Sequence, residues 1–237
     1  MEKSSINAMI TDNYHRIQDQ MYSACVEAGR KLDEVTLLAV TKTVDSDRIN
    51  AAIQLGVKQI GENRVQEFLS KRNSLHLDGV QAHLIGHLQT NKVRQIVGNV
   101  QMIQSVDSLR VAQAINRYSL ESNIVTPILV EVNIGGEEAK SGVSPTELEK
   151  LLTELAPLDG IHVHGLMTVP PILQKEREKR EIFSKMYQLF VDIRDKNIDN
   201  IDMQTLSMGM SGDFREAILE GSTMVRIGSA LFGERNY

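Results

Sequence analysis

The sequence is poor in cysteine and contains no long apolar run. Cys25 is its single cysteine, which excludes an intramolecular disulfide and a zinc site built from cysteines, and which is typical of a reducing compartment. No stretch of about 18 apolar residues is present to span a bilayer, and the N-terminal segment MEKSSINAMITDNYHR is too polar for a signal peptide. We therefore expect a cytoplasmic protein without a membrane partner.

The sequence also has no excess of basic residues over acidic ones. The 237 residues include 26 lysines and arginines against 31 aspartates and glutamates, a formal net charge of -5. This balance argues against a protein that binds nucleic acid through a general basic surface. Hydrophobic residues make up 41% and charged residues 24%, which is ordinary for a globular protein with a sizeable core. Because no linker rich in glycine, serine or proline interrupts the chain, we expect one domain over residues 1–237.

The chain does contain a regular alternation of short apolar runs with segments of helical periodicity. This alternation is typical of parallel strands joined by crossover helices. A leading helix is expected within residues 1–30 and the alternating part within residues 36–233. The predicted strands are 36–42, 59–62, 83–87, 102–106, 127–133, 161–169, 205–209 and 224–228, and the predicted helices between them are 47–55, 65–70, 91–97, 108–121, 145–155, 176–195 and 213–220. The pattern predicts a single-domain α/β protein with the (β/α)8 TIM barrel fold, with an open doubly wound sheet as the alternative.

Lys42 follows the first of these apolar runs. Residues 37–40 are all apolar, which indicates a strand buried on both faces, and Lys42 stands just beyond its carboxyl end, where α/β folds place their ligands. A partly desolvated lysine at such a place can attack a carbonyl carbon as the neutral amine and form a Schiff base. The alternative is an ordinary lysine whose stem lies on the strand while its head reaches solvent. This stretch alone favours the alternative.

Small and hydroxyl-bearing residues follow the last two predicted strands. In barrels of this class, the loops after strands seven and eight and a short helix N-terminus typically bind phosphate. Ser207 and Ser211 belong to the stretch SMGMSGD after strand seven, and Gly228 and Ser229 follow strand eight. A glycine allows close backbone approach and a serine offers a hydroxyl, so we expect a phosphate site here. The alternative is that small residues only permit tight loops.

Other polar residues are expected at or inside the barrel. Arg226 interrupts the last apolar strand, and a buried guanidinium requires acceptors, so it either pairs with a core carboxylate or donates to a ligand nitrogen. Asn63 follows the second strand and is expected to contact the same ligand at the barrel mouth. Two histidine pairs lack a carboxylate or cysteine at a typical ligand spacing, so we expect no metal site. These pairs are His83 with His87 and His162 with His164.

Seven stretches, taken in order, resemble one known family. They are LLAVTKT, IGENRVQE, HLIGHLQTNK, VEVNIGGEEAKSG, GLMTV, SMGMSGDF and GSTMVRIGSALFG. The set resembles the pyridoxal phosphate homeostasis protein family, single-domain relatives of the alanine racemase N-terminal barrel, over nearly the whole chain. The resemblance implies that Lys42 carries pyridoxal 5'-phosphate (PLP) as an internal aldimine and that Arg226 faces the pyridine nitrogen. It also implies that Ser207, Gly228 and Ser229 hold the phosphate.

The resemblance implies a protein that holds PLP reversibly and acts in intracellular PLP (vitamin B6) and amino-acid homeostasis. The alternative is a PLP-dependent amino-acid racemase that uses the same lysine. Racemisation needs an acid–base pair on opposite faces of the cofactor, and the sequence offers Lys42 without an evident second group. We therefore expect a monomeric carrier without efficient catalytic turnover, with PLP-requiring apo-enzymes as candidate partners.

Overall fold

Eight parallel strands pair side by side and close into a barrel. The computed structural model describes residues 3–137 and 140–234, and it confirms the (β/α)8 fold predicted from the sequence. The strands are β1 (Thr36–Val40), β2 (Gln59–Glu62), β3 (Gln81–Leu84), β4 (Met102–Val106), β5 (Thr126–Glu131), β6 (Ile161–Met167), β7 (Ile201–Met210) and β8 (Met224–Ile227). Each strand pairs with its neighbours in chain order, and β1 closes the ring with Leu38 opposite Gln59 of β2 and Arg226 of β8.

Helices follow the strands on the outside of the barrel. They are α1 (Lys3–Glu27), α2 (Ser46–Gln54), α3 (Val65–Lys71), α4 (Val93–Ile96), α5 (Leu109–Glu121), α6 (Leu148–Leu155), α7 (Glu176–Arg194), α8 (Phe214–Leu219) and α9 (Ser229–Phe232). Local sequence determines where α2 begins. The Asp45 carboxylate caps this helix by accepting a hydrogen bond from the backbone N–H of Arg48 at 3.0 Å. In the described part of the chain, no helix is long and apolar enough to cross a bilayer.

Several elements differ in their bounds from the sequence prediction; β3, for example, runs from Gln81 to Leu84 instead of over 83–87. β7 starts earlier, at Ile201, because pairing with β6 extends it, whereas its alternating polar residues hid the strand in the sequence. α6 starts later, at Leu148, because the preceding residues form a turn in which the Glu147 N–H donates to the Ser144 carbonyl at 3.0 Å. α9 was not predicted, since a single turn is too short to show helical periodicity.

The leading helix α1 packs against the segment that follows β8. Its apolar stripe includes Ile10, Ile17 and Met21, which are all fully buried. Burying a side chain of this size contributes about 1.5–3 kcal/mol. Asn13 adds a hydrogen bond of 3.1 Å from Nδ2 to the backbone carbonyl of Leu231 in α9. α1 therefore fastens the part of the chain in which the sequence places phosphate-binding residues.

Alternate side chains of the strands fill the interior of the barrel. Leu38, Val40, Met224 and Ile85 form an apolar cluster separate from the larger core between the sheet and the helices. β1 ends at Val40, and Lys42 follows two residues later, just beyond the inward-facing Leu38 and Val40. It therefore reaches the mouth of the barrel at the carboxyl ends of the strands, which is where TIM barrels carry their sites.

Candidate functional site

Lys42 is half-buried and lines a cavity at the carboxyl-terminal mouth of the barrel. The cavity has a volume of about 280 Å³. Among the residues that the structure describes, no hydrogen bond or ion pair involves the Lys42 amine. An amine without an acceptor is free to react with an electrophile that enters the cavity. The lining residues are Val40, Lys42, Met210, Ser211, Gly212, Arg226, Gly228 and Ser229.

One side of this cavity is built from the loop after β7 and the start of α9. The Ser211 Oγ accepts the backbone N–H groups of Gly228 and Ala230, each at 3.2 Å, and so ties the two loops together. The backbone N–H groups of Gly212 and Ser229 have no acceptor within the described ranges. Backbone donors that converge in this way form a concavity suited to an anion.

The path of the loop after β7 depends on Gly209. Its φ of +93° lies in the left-handed region, and a Cβ at this position would lie 2.5 Å from the Cβ of Ala217 in α8. One residue further on, the Met210 N–H donates to the Asp213 carboxylate at 2.6 Å. Burial raises the pKa of Asp213, and this hydrogen bond opposes the rise. The sequence thus fixes the loop beside the cavity through local backbone geometry.

Arg226 reaches the same cavity from inside the barrel. Its side chain is buried, Nη1 donates to the Ser207 Oγ at 2.7 Å, and Nη2 donates to the Thr168 carbonyl at 2.7 Å. Burial lowers the pKa of Arg226 to about 10, while Asp213 and Glu131 at longer range oppose the fall. The guanidinium therefore stays protonated at neutral pH. In the described part of the chain no carboxylate lies within ion-pair distance of Arg226. The structure therefore does not show the pairing with a core carboxylate that was one of the two expected arrangements.

Ser207 lies behind Arg226 instead of on the wall of the cavity. Its side chain is fully buried, and its hydroxyl accepts from Arg226 and donates to the Gln104 Oε1 at 2.7 Å. Gln104 continues this chain to His83, with Nε2 lying 2.8 Å from Nδ1. Because both hydrogen-bonding roles of the hydroxyl are taken inside the barrel, the structure does not bring Ser207 to the cavity wall, where we expected a phosphate-binding serine.

Asn63 lines a neighbouring cavity together with His87 from the loop after β3. This second cavity also has a volume of about 280 Å³. Asn63 does not line the Lys42 cavity, which is a second difference from the expected site. Its backbone packs directly on Gly86, where a Cβ would lie 2.3 Å from the Asn63 carbonyl oxygen. This close approach holds Asn63 over the β3 loop and away from Lys42.

Two other histidines have polar partners of their own. His162 lies between Asn200 and Asp202, with Nδ1 2.8 Å from the amide oxygen and Nε2 2.9 Å from the carboxylate. His87 Nδ1 lies 3.5 Å from a carboxylate oxygen of Asp107. Over residues 3–137 and 140–234, no group of three or more histidine, cysteine, aspartate and glutamate side chains is placed to hold a metal ion.

A larger groove, of about 570 Å³, lies on the outer ring of helices between α7 and α8. Its charged side chains pair with one another, including Arg177 with Glu181 at 2.7 Å and Arg180 with Glu220 at 2.6 Å. Exposed ion pairs of this kind are typical of a solvated helix surface. We therefore assign the candidate chemistry to the smaller cavity at the barrel mouth.

Sequence analysis missed two residues that shape this site. Thr168 contributes its backbone carbonyl. Every residue has such a carbonyl, so the amino-acid sequence cannot indicate this contact. Gln104 stands inside the mostly apolar strand β4, beside Ser105, much as Arg226 interrupts β8. The same signal that identified Arg226 could therefore have identified Gln104.

The chain matches characterised proteins in sequence. Residues 13–236 match the family described as alanine racemase, N-terminal domain. The pyridoxal phosphate homeostasis protein of Aquifex aeolicus is 43% identical over 222 residues, covering 94% of this chain and 96% of that protein. The protein of the same name from Escherichia coli K12 is 36% identical over 231 residues, covering 96% and 97%.

Solved structures agree with the sequence matches. A protein from Bifidobacterium adolescentis has a TM-score of 0.92 at 38% identity, covering 98% of this chain and 97% of that chain. PipY of Synechococcus elongatus PCC7942, solved with PLP bound, has a TM-score of 0.82 at 28% identity, covering 94% and 100%. Alanine racemase from Corynebacterium glutamicum shares the fold, with a TM-score of 0.72 at 16% identity, and this chain spans 62% of it. The coverage and identity of these matches show that the chain belongs to the pyridoxal phosphate homeostasis protein family.

Proposed function

We propose that this chain binds PLP at the mouth of its barrel, covalently through Lys42, and acts as a carrier in intracellular PLP and amino-acid homeostasis without efficient turnover. The observation that carries the proposal is one shared cavity. Its wall brings the Lys42 amine, which has no partner among the described residues, together with the Arg226 guanidinium and the backbone of Gly228. Family membership supports the same cofactor, because relatives are named for PLP homeostasis and PipY is solved with PLP.

The residues of the cavity suit three polar groups of PLP, which are the aldehyde, the phosphate and the pyridine nitrogen. When bound, the cofactor supplies an aldehyde that condenses with an amine and a pyridine ring that can accept electrons. Lys42 offers the amine at the end of β1. Beside Gly228, the loop after β7 and the start of α9 offer the hydroxyls of Ser211 and Ser229 and the backbone N–H groups of Gly212 and Ser229, and these donors suit a phosphate.

Arg226 suits the pyridine nitrogen. A guanidinium has five N–H donors, and within the described residues Arg226 uses one on each Nη, which leaves others for a ligand. A protonated guanidinium beside the ring disfavours a second positive charge on the ring nitrogen. The ring is then a weaker electron sink than one paired with a carboxylate. This suits storage of the cofactor better than catalysis on an amino acid.

An amino-acid racemase is the second candidate, favoured by the match to the alanine racemase N-terminal domain. Racemisation requires two positioned acid–base groups, one on each face of the cofactor. Of the residues that line the cavity, only Lys42 and Arg226 carry ionisable side chains, and a guanidinium does not give up its proton readily. The carrier function is therefore the better supported. Delivery to PLP-requiring apo-enzymes, the monomeric state and the cytoplasmic location stay predictions from the sequence.

The test is to reduce the purified, PLP-loaded protein with borohydride and to map the labelled peptide. We expect the label on Lys42, and we expect Lys42→Ala to lose the visible absorbance of the Schiff base. Lys92→Ala, which changes a lysine of the neighbouring cavity, is the matched control and should keep that absorbance. Label mainly on Lys92 or Lys140 would contradict the proposal. Chiral analysis after incubation with a panel of L-amino acids then distinguishes the two candidate functions, because only a racemase would form the D-enantiomers efficiently.

A further inference from the structure

The backbone directly after Lys42 adopts an uncommon conformation. Thr43 has a φ of +60°, in the left-handed region that β-branched residues avoid. The other non-glycine residues with positive φ in the described part of the chain are all asparagines, which tolerate this region. A threonine held there is strained, and this conformation persists only where its surroundings enforce it.

Glu67 of α3 enforces this conformation. Its carboxylate accepts the backbone N–H of Thr43 at 2.5 Å and the Lys71 Nζ at 2.6 Å. Burial acts to raise the pKa of Glu67, but the hydrogen bonds from Lys71 and Thr43 outweigh it, and the pKa lies below its usual value. Glu67 is therefore the ionised acceptor that this turn requires.

Lys71 also holds the residue before Lys42. Its Nζ donates to the Thr41 carbonyl at 3.0 Å and to Glu62 Oε1 at 2.9 Å, and the Thr41 hydroxyl donates to the same Glu62 oxygen at 3.0 Å. An ammonium group has three donors, and Thr41, Glu62 and Glu67 take all three. The side chain of Glu62 is 2% exposed and that of Lys71 is 15% exposed, so solvent screens these contacts weakly.

This cluster lies on the opposite side of β1 from the cavity. The fully buried Thr41 side chain is hydrogen-bonded to Glu62 within the cluster, whereas the Lys42 side chain lines the cavity at the barrel mouth. Glu62, Glu67 and Lys71 do not line the Lys42 cavity. Any influence that they have on the cofactor must therefore pass through the backbone of residues 41–43.

We propose that Lys71, together with Glu62 and Glu67, is a positioning cluster that fixes the backbone on both sides of Lys42 and thereby aims its amine at the PLP aldehyde. This inference rests on the proposed function. A misplacement of the reacting amine by about 1 Å is enough to slow a reaction roughly 10²-fold. The cluster therefore controls the rate of Schiff-base formation, while phosphate and ring binding depend on the other side of the cavity.

The experiment compares PLP with pyridoxine 5'-phosphate, which has the same ring and phosphate but no aldehyde. For Lys71→Met and Glu67→Ala, we expect Schiff-base formation, followed by stopped-flow absorbance, to slow roughly 10- to 100-fold. The affinity for pyridoxine 5'-phosphate should change less than about twofold, because its contacts are not altered. Glu67→Gln keeps an oxygen that can accept the Thr43 N–H, and it should recover most of the wild-type rate.

Arg180→Met is the control for a general loss of an ion pair, since it removes the contact with Glu220 between α7 and α8. This variant should change neither the rate of Schiff-base formation with PLP nor the affinity for pyridoxine 5'-phosphate. Two results would show that the cluster only joins α3 to the sheet. One is Schiff-base formation in Glu67→Ala at the wild-type rate, and the other is an equal loss of affinity for PLP and pyridoxine 5'-phosphate. If Lys71→Met does not fold, the partly exposed Glu67 carries the test alone. Wild-type protein that binds neither ligand would instead overturn the proposed function.

Discussion

Arg226 donates a hydrogen bond of 2.7 Å from Nη1 to the hydroxyl of Ser207 in the interior of the barrel. The same hydroxyl donates to Gln104, whose amide nitrogen lies 2.8 Å from His83 Nδ1, so four strands contribute to one buried polar chain. A buried network of this kind restricts the orientation of Arg226, Ser207 and Gln104, whereas the Nε2 of His83 at its end has no partner among the described residues. We therefore expect Ser207 to act on a bound ligand through Arg226 and not through the phosphate.

Ser207→Ala tests this role. Removing the hydroxyl leaves Arg226 and Gln104 each without one buried partner, which should lower the free energy of unfolding by roughly 1–3 kcal/mol. We expect PLP and pyridoxal to lose affinity by the same factor, because ring binding is disturbed and phosphate binding is not. Equilibrium titration of both ligands measures this. A loss confined to PLP would show that Ser207 does contact the phosphate.

Ser211→Ala should give the opposite pattern. The Ser211 hydroxyl accepts two backbone N–H groups at the start of α9, and its loss releases the Gly228 segment from the loop after β7. One lost hydrogen bond is worth about 0.5–1.5 kcal/mol, so we expect PLP to weaken up to roughly tenfold more than pyridoxal. Ser184→Ala, an exposed serine of α7, is the control and should change neither affinity. Equal weakening of the two ligands by Ser211→Ala would place the phosphate elsewhere.

The contrast between Ser207 and Ser211 shows what the sequence could predict. Apolar runs and their spacing predicted the barrel and the place of Lys42 correctly, because strand burial is a local property of the chain. The depth of a side chain within the barrel is not local. β7 continues to Met210, so Ser207 lies three residues below its end, or about 10 Å at the rise of a strand. Only the complete register of the strands separates the serine inside the barrel from the serine at its mouth.

The surroundings of Arg226 and Lys42 show a second limit. The sequence indicated that Arg226 needs acceptors, but the acceptors are a hydroxyl from β7 and the Thr168 carbonyl that follows β6. Such partners come together only when distant strands close the barrel. Likewise, nothing in the stretch around Thr43 predicts a left-handed threonine, because a glutamate of α3 imposes it.

His83 should make the protein sensitive to mild acid. Burial lowers the pKa of His83 from 6.5 to about 4, so between these values the unfolded chain binds a proton that the folded chain does not. The free energy of unfolding therefore falls as the pH is lowered through this window, by about 2 kcal/mol between pH 7 and pH 5. Urea unfolding of the wild type and of His83→Gln at pH 7 and pH 5 measures the fall in the free energy of unfolding. The variant should lack the part of this fall that comes from His83.

Two comparisons isolate the effect of His83. Burial raises the pKa values of Glu62, Glu131 and Asp213, which stabilises the folded state toward acid, but this contribution is common to wild type and variant. His76→Gln changes an exposed histidine and should behave like wild type. If wild type and His83→Gln lose equal stability between pH 7 and pH 5, His83 is not the group responsible.

Arg226→Glu tests whether ring electronics or a missing base limits catalysis. A carboxylate beside the pyridine nitrogen favours a proton on the ring and strengthens it as an electron sink. We expect a changed absorbance spectrum but no efficient racemisation, because Lys42 would still be the only amine on the cavity wall and the opposite face would lack an acid–base group. A positioned general acid or base typically contributes 10²- to 10⁴-fold, and a change of ring charge cannot supply its geometry.

The new carboxylate would lie close to Asp213 and Glu131 in the interior, so folding has to be verified by circular dichroism before activity is measured. Arg226→Gln provides an uncharged companion that removes the guanidinium without adding a buried negative charge. Chiral analysis of alanine and other amino acids is the readout for all three proteins. Racemisation by the wild-type protein at an ordinary enzymatic rate of about 1 to 10³ per second would reject the carrier function, because the cavity would then hold a second acid–base group.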